Sequence, residues 1–186
     1  MVINEQQFEV REVSYTVRCA RREDAQALSV LRVQIDSETE MLDRAPGEGV
    51  LDEQAFAQII QTDRDHNCHL FLVAVVDERI VGFSRCEGND LTRLAHKVTF
   101  GVCVLKDFWG YGIGKNLLKQ SITWADQNHI KKMALNVLET NDRAIQLYKQ
   151  LGFEMEGVLK NDKCLSDGKY YHTVIMGRWH DNWLRE

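Results

Sequence analysis

No apolar run in this sequence is long enough to cross a bilayer, and the longest, Leu70 to Val76, has the length of a buried strand. Residues 1–13 scatter Glu5, Glu9, Arg11 and Glu12 among isolated apolar positions and lack the continuous apolar centre of a signal peptide. Cysteine is sparse and unpaired in pattern. Cys19, Cys68, Cys86, Cys103 and Cys164 are widely spaced, no CxxC occurs, and the histidines show no HxxxH spacing. Disulfides and a metal site are therefore disfavoured, and reduced thiols in a cytoplasmic protein are expected. Positive charge is in deficit: 23 Lys and Arg against 28 Asp and Glu give a net charge of −5. General binding to nucleic acid needs clustered positive charge, and no basic amphipathic stretch suits a membrane surface. Proline is nearly missing. The single one, Pro46, sits in Ala45-Pro46-Gly47 and divides a helical region in two. There is no internal repeat and no low-complexity segment.

What remains is an ordinary globular composition, 44% hydrophobic and 27% charged over 186 residues. That length predicts one domain across 1–186 with a substantial core. Tyr15–Cys19 reads as a first strand. Leu28, Leu31 and Ile35 give helical spacing from Arg22 onward, and a second helix runs from Leu51 to about Asp65 with Phe56, Ile59 and Ile60 turned inward. His69–Val76 and Ile80–Glu87 are strands joined by the polar turn Asp77-Glu78-Arg79, and Leu91–Ala95 reads as loop. Val98, Phe100, Val102 and Val104 alternate with smaller or polar residues, which marks another strand. A helix with Leu117, Leu118, Ile122 and Ala125 inside follows, then a strand Met133–Leu138. Asn141–Leu151 is an amphipathic helix striped by Ala144, Leu147, Tyr148 and Leu151. Phe153–Lys163 and Lys169–Trp179 close the chain as a hairpin about Asp167-Gly168. The order predicts a mixed α/β (α+β) layer structure, not the regular alternation of a doubly wound sheet.

The segment between the alternating strand and its helix is Trp109-Gly110-Tyr111-Gly112-Ile113-Gly114-Lys115. Its glycines let several N–H groups converge at a helix N-terminus, where an anion such as a pyrophosphate is favoured. A P-loop would need Ser or Thr where Asn116 stands and Gly where Trp109 stands. A Rossmann fingerprint would need Gly at Lys115. A turn that merely starts a helix is the plainer alternative for the loop taken by itself.

Gly110-x-Gly112-Ile113-Gly114 resembles the coenzyme A pyrophosphate loop of the GCN5-related N-acetyltransferases. Asn141-x-x-Ala144-x-x-Leu147-Tyr148-x-x-Leu151-Gly152-Phe153 resembles that family's second signature, at the family's usual separation. Element order matches from Tyr15 to Trp179. The resemblance implies a twisted mixed sheet splayed near its middle, with helices on both sides. It also implies transfer of an acetyl group from acetyl-CoA to a primary amine by direct attack. Tyr148 is implied as the acid that protonates the leaving thiolate, although a core aromatic would fit the same stripe. Main-chain groups of Val102, Cys103 and Val104 would hold the pantetheine arm, with Asn141 bonding it or capping its own helix. Residues 109–115, Tyr111 and Lys115 included, would hold the pyrophosphate. Two positions depart from the family: Trp109 replaces Gln or Arg, and Thr99 replaces a Glu that relays the amine proton. Cys103 has no accompanying His or Asp motif and reads as a buried hydrophobe, not a nucleophile.

Between the first two helices Asp36, Glu38, Glu40, Asp43, Glu48, Asp52 and Glu53 face Arg44 alone. On a continuous helix Asp36, Glu40 and Asp43 would share one face, and with Thr99 they are the candidate acceptor-binding residues. A cationic wall-seeking amine is one expectation, and a solvated acidic surface is the other. The acceptor is expected to be a small molecule, an amino acid or polyamine. A protein N-terminus or lysine is the enzyme alternative, and an acyl-CoA sensor without chemistry the non-enzyme one. A homodimer stays open.

Overall fold

A computed structural model describes residues 3–180, so the extreme ends of the 1–186 domain expectation lie outside the described residues. In chain order the elements are β1 (Gln6–Val10), β2 (Val13–Cys19), α1 (Ala25–Glu38), α2 (Glu53–Asp65), β3 (Leu70–Val76) and β4 (Arg79–Glu87). They continue as β5 (Lys97–Val104), α3 (Ile113–Gln127), β6 (Lys132–Leu138), α4 (Asp142–Gln150), β7 (Glu154–Cys164) and β8 (Tyr170–Trp179). The strands form one sheet in the order β1-β2-β3-β4-β5-β6-β8-β7.

Alternation along β4 decides which helix covers which face. Ser84 and Cys86 are fully buried toward α3, where Ser84 Oγ lies 3.4 Å from Ser121 Oγ. Phe83 and Arg85 point the other way, toward Phe56 and Asp63 of α2. Helices thus cover both faces. The core follows the apolar spacing: Leu28, Leu31 and Ile35 of α1, Phe56 and Ile60 of α2, and Leu117, Leu118 and Ala125 of α3 are all buried.

β1 was not legible as a strand. It is an outer strand with only Phe8 and Val10 partly buried, and its hairpin to β2 turns through Arg11 and Glu12 at φ of 51° and 66°. Such turns usually announce themselves with Asn or Gly, and here a charged pair takes the left-handed conformation.

β5 and β6 are the parallel neighbours, and their register covers only Lys97 to Thr99 against Lys132 to Ala134. Both strands run on beyond it, β5 to Val104 and β6 to Leu138. On its other side β5 stays paired to β4 up to Val104. The sheet therefore splays from Thr99 onward, which leaves main-chain groups of Gly101 to Val104 facing a gap with no ladder partner.

Candidate active site

The splay opens into a cleft of about 1200 Å³. β5, the glycine loop, the start of α3 and one side of α4 line it, and α1, α2 and the loop after α1 bound the rest.

The glycine loop is built as a bend. Gly110 and Gly112 have φ of 94° and 75°, where a Cβ is strained, and Gly112 is the residue from which α3 starts. No side chain caps that end, and among the described residues the amides of Ile113, Gly114 and Lys115 have no hydrogen-bond partner. Free donors at the head of a helix of 15 residues make an anion site. Below the loop, Tyr15 Oη donates to the Tyr111 carbonyl (3.3 Å) and accepts from Asn116 Nδ2 (2.6 Å). Trp109 Nε1 donates to the Val104 carbonyl at 2.8 Å, which ties the loop to the end of the free strand edge. Trp109, Gly110, Gly112, Ile113, Gly114 and Lys115 all line the cleft; the Tyr111 side chain does not.

Two cations beside the loop escaped the sequence reading. Arg11 Nη1 and Arg143 Nη2 lie 3.7 and 4.0 Å from the place a Cβ on Gly110 would take. Arg143 sat inside the second motif and could have been found there. Arg11 belongs to the hairpin turn that carried no turn signal.

Across the gap, α4 keeps Ile145 and Tyr148 buried, while Ala144 and Leu147 are half-buried and face the cleft. Part of the helix's apolar stripe thus meets open space instead of protein. Tyr148 is 8% exposed and packs on Phe153, with ring centroids 5.8 Å apart. Burial pushes its phenol up to about 12, so it remains protonated and able to donate. Asn141 Oδ1 caps α4 at the Ala144 amide (3.2 Å), which leaves its Nδ2 for a ligand in the cleft. Val102, Cys103 and Val104 lie along the gap. Burial raises the Cys103 thiol to about 12, which removes the thiolate a covalent route would need.

The shared acidic face does not exist. α1 ends at Glu38 and the chain turns extended at Thr39, so Asp36, Glu40 and Asp43 are not on one helix. Nor are these carboxylates idle: Arg32 Nε binds the buried Asp36 (2.9 Å), Glu40 accepts from the Ser166 amide (2.9 Å), and Asp43 pairs with Lys163. Glu38 accepts from the Lys106 amide, Glu48 from that of Ala45, and Asp52 caps α2 at Ala55. The acids were spent on holding an irregular loop, which net charge by segment does not reveal. Of the candidates, Asp43 and Thr99 line the cleft, and Asp36 and Glu40 do not. On the side bounded by α1 and α2 the cleft instead presents Arg32, Arg44, Arg85 and Lys163 beside Asp43 and Glu87.

Gly101 lies on the floor between these groups, and a Cβ there would meet nothing within 4 Å. Glycine inside a strand weakens it and marks a place where something else comes close. Gly101→Val should therefore leave the fold at least as stable while narrowing the cleft, so that the KM of a substrate bound over β5 rises about tenfold or more. Steady-state kinetics checks this.

Among the described residues no group of His, Cys, Asp and Glu is arranged to hold a metal ion, and no helix is long and apolar enough to cross a membrane.

A family model, Acetyltransferase (GNAT) family, matches residues 35–153. The L-amino acid N-acetyltransferase of Escherichia coli is 32% identical over 108 residues, which is 58% of this chain and 66% of that relative. An acetyltransferase of the GNAT family from Streptococcus pneumoniae superposes with a TM-score of 0.86 at 23% identity, covering 89% of this chain and 99% of that one. A phosphinothricin acetyltransferase from Sinorhizobium meliloti, solved with acetyl-CoA, superposes with a TM-score of 0.79 at 19% identity, covering 92% and 91%. At those identities the structures speak for the fold. The chain spans about two thirds or less of the length of the first curated relatives it matches. The family match over the glycine loop and α4 makes this chain a member of the GNAT family.

Proposed function

We propose that the chain transfers an acetyl group from acetyl-CoA to the amine of an acceptor that also carries a carboxylate, an amino acid being the simplest. The pyrophosphate is held by the free amides of Ile113, Gly114 and Lys115, with Arg11 and Arg143 beside it. The pantetheine arm lies in the splay as a partial strand against Gly101 to Val104, with Asn141 Nδ2 bonding it across the gap. The acyl carbonyl is polarised by a main-chain N–H of that edge. The neutral amine attacks, the tetrahedral intermediate collapses, and Tyr148 gives its proton to the departing thiolate.

One observation carries the choice of acceptor. Arg44 lines the cleft half-buried, and among the described residues it has no ion pair or hydrogen-bond partner, unlike Arg32, Arg85 and Lys163. An unpaired guanidinium in a partly desolvated wall favours a carboxylate, which it binds in a fork. The similarity to an L-amino acid N-acetyltransferase supports the same choice. Polyamines lose the argument they had from an acidic wall.

Free-thiol release from acetyl-CoA against a panel of amines tests the reading. Free amino acids should exceed their own amides, N-terminal peptides and polyamines. Arg44→Gln should raise the KM for amino acids about tenfold without changing that for their amides. Equal turnover of acids and amides, unaffected by Arg44, would overturn the carboxylate. Acetyl-CoA binding with no thiol release from any amine would favour the sensor.

A further inference from the structure

An attacking amine must shed a proton, and in this chain Thr99 stands where a relaying carboxylate was expected. A threonine hydroxyl cannot serve as a base near neutral pH. The proton still needs a route out beside the point where β5 and β6 part, which is Thr99 itself.

Glu87 is the cross-strand partner of Thr99 in the β4–β5 register. Directly opposed residues of an antiparallel pair project on the same face, about 4.5–5.5 Å apart at Cβ. Glu87 and Thr99 both line the cleft. The other cleft carboxylates are worse placed: Asp43 is tied to Lys163 in the outer loop, and Asp142 sits in the first turn of α4, on the coenzyme side. No histidine lines the cleft.

Glu87 is also held in orientation. Arg85 Nη1 donates to Glu87 Oε2 at 2.9 Å, and Arg85 is itself fixed by Nε and Nη2 on Asp63 at 2.6 and 2.9 Å. Asp63 is buried and is joined by His69 Nδ1 at 2.8 Å. Since Arg85 gives its bidentate contact to Asp63, Glu87 spends one oxygen on it and keeps Oε1 without a partner among the described residues. Its side chain is 57% exposed, so a proton taken there exchanges readily with solvent.

We infer that Glu87, reaching across from the neighbouring strand, is the base that accepts the acceptor's ammonium proton through a water at Thr99. The balance is simple. One ammonium proton passes by the water to Glu87 and on to solvent, and the neutral nitrogen forms the C–N bond. As the C–S bond breaks, Tyr148 protonates the thiolate and regains a proton from solvent, which receives the second proton shed by nitrogen. The inference rests on acetyl transfer to an amine, but not on the acceptor carrying a carboxylate.

The test compares Glu87→Gln with wild type, using whichever amine wild type acetylates fastest, over a range of pH. Acetyl-CoA affinity is measured alongside and should be unchanged. At neutral pH kcat/KM for the amine should fall about 10²-fold. The deficit should shrink as pH nears the amine's own pKa of ~10, where the base is no longer needed. A deficit that is the same at every pH, or none at all, overturns the assignment. If the fastest amine lacks a carboxylate, the acceptor reading falls and this comparison still stands.

Discussion

Gly114→Asp should lose acetyl-CoA binding by 100-fold or more while leaving the protein as stable as wild type or more so. The two effects have opposite signs for separate reasons. Gly114 is the second residue of α3 and has ordinary helical backbone, and its Cβ would meet only Val104 Cγ2 at 3.8 Å, a normal contact. Replacing a helical glycine by aspartate, which ranks only just above it as a helix former, recovers roughly 0.3 kcal/mol. An acidic side chain in the first turn adds roughly 0.3–1 kcal/mol through the helix dipole. The protein gains on both counts. A pyrophosphate seated on the free amides of Ile113, Gly114 and Lys115 meets a carboxylate in its own place and a like charge beside it. Such a loss amounts to about 2.7 kcal/mol in binding, well beyond the effect of a surface change. Calorimetric titration with acetyl-CoA and a thermal melt separate the two. Gly112→Asp is the weaker probe, because φ at Gly112 is 75° and any side chain there strains the bend. Undiminished affinity in Gly114→Asp, with the fold intact, would remove the pyrophosphate from this helix end.

Tyr148→Phe deletes one hydroxyl from a side chain whose ring is already buried against Phe153, so packing and acetyl-CoA affinity should hardly change. Turnover should drop about 10²- to 10⁴-fold if that hydroxyl protonates the thiolate. The pH profile gives an independent reading. With the phenol raised to about 12 by burial, the acid form persists through the whole working range. Wild-type kcat should thus rise with pH as the amine loses its proton and show no descending limb up to about pH 10. A phenol left at its ordinary value of ~10 would already bend the curve there. Wild-type turnover by the Phe variant would return Tyr148 to the core.

The central architecture could be read from spacing because its elements are amphipathic at full length. α2, α3 and α4 show one apolar side each, and β3 to β5 alternate or run apolar. The glycine-loop end of the cleft was legible for the same reason: glycines and an N-terminal helix end constrain the backbone itself. The far end, between α1, α2 and β5, was not. It depends on how an irregular loop from Thr39 to Asp52 spends its carboxylates, and on which strand lies beside Thr99. A run of acids looks identical whether it faces a substrate or caps an amide. Glu87 and Thr99 are neighbours only because β4 and β5 pair antiparallel in one register. Arg11 was missed because its hairpin turns without glycine or asparagine.

The parallel register of β5 and β6, confined to Lys97–Thr99 and Lys132–Ala134, has a consequence for cooperativity. It is the seam between two subassemblies, β1 to β5 on one side and β6 to β8 on the other, and it is short. If the acyl-pantetheine arm lies in the gap as proposed, it extends that ladder with its own amides. The coenzyme then serves as a removable piece of sheet, and by mass action its binding stabilises the joined state over any in which the halves part. Loading of the cosubstrate and rigidity of the fold become a single linked equilibrium.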